Sequence, residues 1–403
     1  MNVDMMRRID YAAGVPLCLI LSAYHRLLGR FIIGAPADKP KKVLFMELSE
    51  MGSTVLAYPA MRKVKELYPG AELYFMIFEE NRESVKVLDI IPKKNIITIS
   101  YGNIFSFAME TLRAVMRCRR ERIDAVFDLE LFARYSSILS YLTGAKARVG
   151  FHKHHSEGLY RGSCQTHKIS YNPHMHISQN FLAQVYSLAA PKGEYPLLKR
   201  KVEMEDVPHI KSSRQELDAI RKKMREANPG ADRAKRLVIL NTHAGDLLPI
   251  RAWPIANYIG LAERLLQTEG TYIVTTGIGD AEKDAALIMK AAGRQRIIDL
   301  TNRTAFSELI ALYNICDLII TNDSGPAHFA SLTGIKIITL FGPETPDLYA
   351  PLGKNSTTLF SGLACSPCVS AYNHRKTTCR DNRCLKLISV DTVHKAALQQ
   401  LGI

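Results

Sequence analysis

The turn Asn322-Asp323-Ser324-Gly325 puts a carboxylate, a hydroxyl and a glycine between an apolar run and a short helix. Pro326 suits the first helical turn, where its missing N–H costs nothing. Such a strand–turn–helix offers free backbone N–H groups at the carboxyl edge of a sheet, where phosphates bind. Arg251 precedes Trp253-Pro254, and a guanidinium can grip two oxygens of a diphosphate as charge gathers there. Glu47 and Glu50 lie at the end of the opening apolar run, and a positioned carboxylate can take the proton of an attacking hydroxyl. Cys365, Cys368, Cys379 and Cys384 follow C-x2-C-x10-C-x4-C, a spacing suited to tetrahedral zinc, with reduced thiols or disulfides as the other readings. Cys18, Cys118, Cys164 and Cys316 are scattered, which argues against an oxidised, secreted framework.

These residues need strands and helices to hold them. Residues 42–48 read as a strand, followed by the loop Ser49-Glu50-Met51-Gly52-Ser53, a helix through Leu67 and a strand over 71–78. Further strands are expected at 122–128, 237–241, 272–276, 297–300, 317–321 and 335–341, with a helix over 129–142. Strands alternating with helical patterns imply an α/β fold with parallel sheets. The 403 residues fit two domains. The expected division is an apolar helical segment and linker over 1–40, a first domain over 41–195, a charged linker helix over 196–236 and a second domain over 237–403.

Hydrophobic content of 47% and charged content of 23% are globular values, so the chain can bury ample core. A formal charge of +14 calls for an anionic neighbour, either a membrane surface or a phosphorylated substrate. The basic residues are spread out and no nucleic-acid signature accompanies them, so nucleic acid is not expected. Residues 12–24 form a run of 13 without charge, short of the roughly 20 needed to span a bilayer. Arg7 and Arg8 precede it, and His25, Arg26 and Arg30 follow, which suits a helix in the interface of an anionic leaflet. A helix packed on the protein itself is the alternative. His152, His154, His155, His167, His174 and His176 match no compact metal site and read as a basic loop.

The string T-N-D-S-G-P-A-H-F-A-x-x-x-G, followed by a strand and F-G-P-x-x-P, closely resembles the heptosyltransferase family of lipopolysaccharide assembly, family 9 of the glycosyltransferases. The resemblance covers residues 42 to about 395. It implies a GT-B fold, two Rossmann-like domains facing across a cleft, with the final helix from about Val390 crossing back to the first domain. It implies inverting, metal-independent transfer from a nucleotide-diphosphate sugar, ADP-heptose by default, to a lipid-linked glycan. The enzyme would then be cytoplasmic and peripheral on the inner face of the membrane.

By position, the family's pattern assigns Arg251 to the donor phosphates and Asp323 to the transferred sugar. Ser324 and Gly325 would donate N–H groups to the diphosphate, and His328 would reach a phosphate or sugar hydroxyl. Glu282, with Asp280 second, would hold the ribose or lie beside the base. One departure concerns the base. The family has Asp directly after the Gly of the first loop, and here Ser53 stands in its place. Ser53 reads as a helix N-cap, and the role of base passes to Glu50 or to Glu47. A sugar-nucleotide-binding protein that lost catalysis with that Asp is the rival reading.

Overall fold

In the computed structural model, the described residues are 3–29, 39–153, 159–245, 248–373 and 375–403. The chain divides into two compact units, Met1–Glu205 and Asp206–Ile403. In the first, the strands are β1 (Lys42–Met46), β2 (Glu72–Phe78), β3 (Ile96–Ile99), β4 (Ala125–Asp128), β5 (Ala147–Phe151) and β6 (His167–Ile169). Short turns of helix aside, its helices are α1 (Val3–Ala12), α2 (Gly14–Tyr24), α3 (Met51–Leu56), α4 (Tyr58–Leu67), α5 (Ile104–Glu121), α6 (Arg134–Leu142) and α7 (Ile177–Leu188). The strands form one parallel sheet in the order β3-β2-β1-β4-β5-β6. Both faces are covered, so β1 is an unbroken apolar run rather than an alternating one. Leu44, Met46, Tyr74, Met76 and Val126 pack beneath Ala114, Val115 and Cys118 of α5 and Leu139 of α6. On the other face Phe45 and Phe127 stack with ring centroids 5.1 Å apart.

The second unit repeats the plan. Its strands are β7 (Arg236–Asn241), β8 (Thr271–Thr276), β9 (Ile297–Asp299), β10 (Leu318–Asn322), β11 (Lys336–Phe341) and β12 (Ser356–Phe360). Its longer helices are α8 (Arg214–Ala227), α9 (Ile255–Gln267), α10 (Ala281–Ala292), α11 (Phe306–Ile315), α12 (Gly325–Ala330) and α13 (Val390–Leu401). The sheet is again parallel, in the order β12-β11-β10-β7-β8-β9. Val238, Leu240, Ile320 and Leu340 pack with Tyr258, Leu261 and Leu265 of α9 and with Val393 and Ala397 of α13. The last helix therefore completes the core of its own unit, where its apolar stripe is buried, rather than crossing to the first. The segment expected as an interdomain linker supplies α8, which packs on α11 and is opened by a Ser213–Glu216 capping box.

Some boundaries moved for local reasons. Arg122 takes a left-handed conformation, φ 56°, and ends α5, so β4 starts at Ala125 rather than at 122. The first loop turns helical at Met51, with Glu50 at the N-cap, so Ser53 lies inside α3 and does not cap it. Part of the histidine-rich stretch is structure and not loop. His167 lies on β6, and His176 caps α7 by accepting from the Ser178 N–H. His154 and His155 lie outside the described residues.

Candidate active site

Each sheet has one place where the strand order reverses, between β1 and β4 in the first unit and between β7 and β10 in the second. The loops leaving those neighbouring strands diverge to opposite faces and leave a crevice at the carboxyl edge, the usual ligand position in open α/β sheets. Of the sequence candidates, Glu47 and Glu50 fall on the loop after β1, Arg251 on the loop after β7, and Asp323 and Ser324 on the loop after β10.

In the first unit, Glu50 follows β1. Its Oε2 accepts a hydrogen bond of 2.8 Å from the Ser53 hydroxyl, inside the first turn of α3. Glu47 sits just past the end of β1 and is buried, its backbone N–H bonded to Met76 O. A third carboxylate, absent from the sequence reading, comes from the β4 loop. Glu130 Oε1 accepts from the N–H groups of Leu48 at 2.7 Å and Ser49 at 3.2 Å. Burial, and then the charge of Glu50, push the Glu130 carboxyl up to about 7. Glu50 and Glu130 thus form an interacting pair of acids on the two loops of the crevice, one of them tuned toward neutral pH. A carboxylate with such a pKa is well matched to proton transfer.

Behind the pair lies a buried ion pair. Arg161 holds Asp128 at the end of β4, both side chains fully buried, and also donates to Ser136 Oγ at 2.9 Å and to the Glu130 carbonyl at 3.0 Å. One guanidinium therefore neutralises the strand end and fixes the loop that presents Glu130. Sequence reasoning missed both residues, because an Arg in a polar loop carries no local sign of burial.

In the second unit, Arg251 and Asp323 meet. Arg251 Nη1 lies 3.4 Å from Asp323 Oδ2, and Nη2 is 3.4 Å from Ala244 O. Both side chains are largely buried. Asn322, fully buried, joins the two loops: its Oδ1 accepts from Trp253 N at 2.8 Å and its Nδ2 donates to Thr242 O at 2.8 Å. Ser324 is the N-cap of α12 in extended conformation, its hydroxyl directed back to Asn322 O at 3.1 Å. Pro326 occupies the first turn of α12, and His328 is buried on that helix. The acids expected at the β8 turn are exposed. Glu282 accepts from Asn302 Nδ2 at 3.0 Å, and Asp280 pairs with Lys283, whose hydrogen bond holds its carboxyl low. The acid there that reaches the β7 loop is Asp284, bonded to Thr242 Oγ1 at 2.8 Å.

The cysteine segment braces this edge. Asn382 Nδ2 donates to the carbonyls of Ile250 at 3.0 Å and Ala252 at 2.8 Å, on either side of Arg251. Cys368 N bonds Pro343 O at 2.9 Å, and the Arg375 guanidinium lies 3.7 Å from the buried Glu344 carboxylate. The Cys384 thiol is buried against Gly342, and Cys368 and Cys379 lie close enough to raise its pKa after burial has done so. Cys365 and Cys379 are exposed, and among the described residues no three His, Cys, Asp or Glu side chains converge as a metal centre.

Residues 112–378 match the model of glycosyltransferase family 9 (heptosyltransferase). The chain is 24% identical over 315 residues to the lipopolysaccharide core heptosyltransferase OpsX of Haemophilus influenzae, covering 78% of this chain and 82% of that one. It is 25% identical over 358 residues to the lipooligosaccharide heptosyltransferase 2 of Campylobacter jejuni, covering 86% and 94%. Among solved structures, the E. coli ADP-heptose lipopolysaccharide heptosyltransferase II superposes with a TM-score of 0.67 at 18% identity, over 89% of this chain and 98% of that one. A glycosyltransferase of family 9 from Veillonella parvula gives 0.69 at 19% identity, over 91% and 99%. Two parallel six-stranded sheets with reversal points at their carboxyl edges are the GT-B plan of those structures. The chain, two such units with its candidate acids on one edge and its Arg251–Asp323 pair on the other, belongs to glycosyltransferase family 9, the heptosyltransferases.

Proposed function

We propose that this glycosyltransferase moves heptose from ADP-heptose to a hydroxyl of a lipopolysaccharide-type, lipid-linked acceptor, with inversion and without a metal. The observation that carries the reading is the Arg251–Asp323 pair at the β7/β10 reversal point, where a diphosphate and its sugar would be held together. Arg251 neutralises the leaving diphosphate, supported by the N–H groups of Ser324 and Gly325. Asp323 orients the guanidinium and receives a sugar hydroxyl. His328 lies one turn further along the same helix, and Glu282 or Asp280 stands on the nucleoside side.

In the first unit Glu50 acts as the base. Removing the acceptor proton as the oxygen attacks the anomeric carbon makes a weak nucleophile competent, and attack opposite the diphosphate inverts that carbon. Ser53, at the position of the family Asp, holds Glu50 ready, and Glu130 receives or shares the proton across the loop. Glu47 is too deeply placed to be the first choice. The protein works at the cytoplasmic surface of the inner membrane, where its acceptor is anchored.

The deciding experiment incubates the purified chain with ADP-heptose and a lipopolysaccharide core acceptor, with and without EDTA. Turnover unaffected by EDTA, with an inverted anomeric centre by NMR, supports the proposal. Binding of ADP-heptose without any turnover on core acceptors favours the degenerate reading that Ser53 suggests.

A further inference from the structure

The helix α5 is unusual for the outer layer of an α/β unit. Phe107, Thr111, Ala114, Val115 and Cys118 face inward, as expected. The opposite pole is apolar too: Phe105, Met109, Leu112 and Met116 recur at i, i+4, i+7 and i+11 and are exposed by 77%, 38%, 51% and 52%. A second apolar stripe on the solvent side of such a helix belongs against a second apolar phase.

A similar face lies beside it. Asp10, Gly14, Cys18 and Ser22, spaced every four residues, turn one side of α1 and α2 onto the body of the unit. Asp10 accepts from the N–H groups of Arg134 and Tyr135, Gly14 sits so close to Arg134 that a Cβ would lie 2.8 Å from its Cβ, and Ser22 Oγ accepts from Ser163 N at 2.8 Å. The other side of α2 exposes Leu19 and Ile20, and the helical turn His25–Gly29 that continues it exposes Leu27 and Leu28. Residues 5–28 are long and apolar enough to cross a membrane by composition, yet the bonded side ties them along the unit. Tyr135 links the inward sides of the two helices, its N–H on Asp10 of α1 at 2.8 Å and its hydroxyl 2.7 Å from Thr111 of α5.

We propose that α5, together with α2, is the surface by which the protein docks on an anionic lipid bilayer, the outward pole of α5 inserting at the boundary between headgroups and acyl chains. The occupant is argued from charge. Residues 104–122 carry five arginines against two glutamates, and Arg113 and Arg120 are exposed beside the apolar pole. Arg8 and Arg26 are exposed near the two ends of the N-terminal helices. Apolar side chains flanked by exposed arginines, one of them (Arg113) paired with Glu110, match acyl chains beneath anionic phosphates. A second copy would set these arginines against one another. The inference rests on the membrane-surface part of the proposed function and adds α5, which no sequence feature had marked.

The test is flotation of the full chain with vesicles of phosphatidylcholine alone or mixed with phosphatidylglycerol, in three forms: wild type, Phe105→Ser/Leu112→Ser/Met116→Ser, and Ile20→Ser/Leu27→Ser. The expected result is wild-type binding to the anionic vesicles only, weakened about tenfold or more by each variant. An unchanged melting temperature and an unchanged melting shift with ADP would show that fold and donor site are intact. Equal flotation of wild type and the α5 variant would overturn the role of α5. No wild-type flotation, with a dimer in light scattering that the α5 variant abolishes, would overturn the bilayer in favour of a second copy. Turnover on a detergent-dispersed acceptor tests the transferase reading separately, because it needs no vesicle.

Discussion

The Ser53 hydroxyl donates to Glu50 Oε2 at 2.8 Å, so the carboxylate proposed as base is held by a hydroxyl from the first turn of the helix it opens. The pair presents a carboxylate from the N-cap of α3. Glu50→Gln should lower kcat by about 10²–10⁴-fold, the usual contribution of a positioned base, and leave the thermal shift with ADP as it is. Ser53→Ala should cost far less. If Ser53→Asp restored turnover to Glu50→Gln, the carboxylate would be shown to work from either position.

Glu130 predicts a pH dependence of stability. Its folded carboxyl is raised to about 7 from an ordinary value of 4.5. Between those values the folded chain keeps a proton that the unfolded chain has released, so stability from this group falls as pH rises through the window and levels off above about 7. Melting temperatures from pH 4.5 to 8.5 should show this slope, and Glu130→Gln should flatten it. An identical slope in the variant would remove Glu130 as its source.

Arg251→Ala should weaken ADP binding and leave Asp323 buried without its cation. A charge-assisted hydrogen bond is worth about 1.5–3 kcal/mol, so a loss of roughly 10–100-fold in affinity by calorimetry is expected. Arg251→Lys should recover part of it, since an ammonium keeps the charge but not the fork.

Two buried contacts in the first unit make stability predictions. Asp10 caps α6 from another helix, because Ala133 at the N-cap has no side chain able to do so. Asp10→Ala should destabilise by about 1–2 kcal/mol in urea unfolding. Arg161→Met leaves Asp128 buried and unpaired and should cost about 3–5 kcal/mol.

For the cysteines, the zinc reading predicts about one zinc per chain by elemental analysis. Cys384→Ser should release it and lower the melting temperature. A metal-free preparation with four thiols reactive to Ellman's reagent would leave them as reduced thiols.

The alternating α/β plan, both opening strands of the two units and the Asp323 turn were legible in sequence, because buried parallel strands are continuous apolar runs and turns have their own residue types. The family string was legible for the same local reason: its motif lies within one strand–turn–helix. What tertiary structure alone decided are relations between distant loops. Glu130 meets the Glu50 loop from 82 residues away, Arg161 pairs with Asp128 across 33, and Asp10 caps a helix 124 residues later. Each is a single polar residue whose burial depends on which strands become neighbours, and the order of strands is set by global packing. The final helix shows the same limit. Its apolar stripe was readable, but whether Val393 and Ala397 would bury against their own sheet or another depended on which surface remained uncovered.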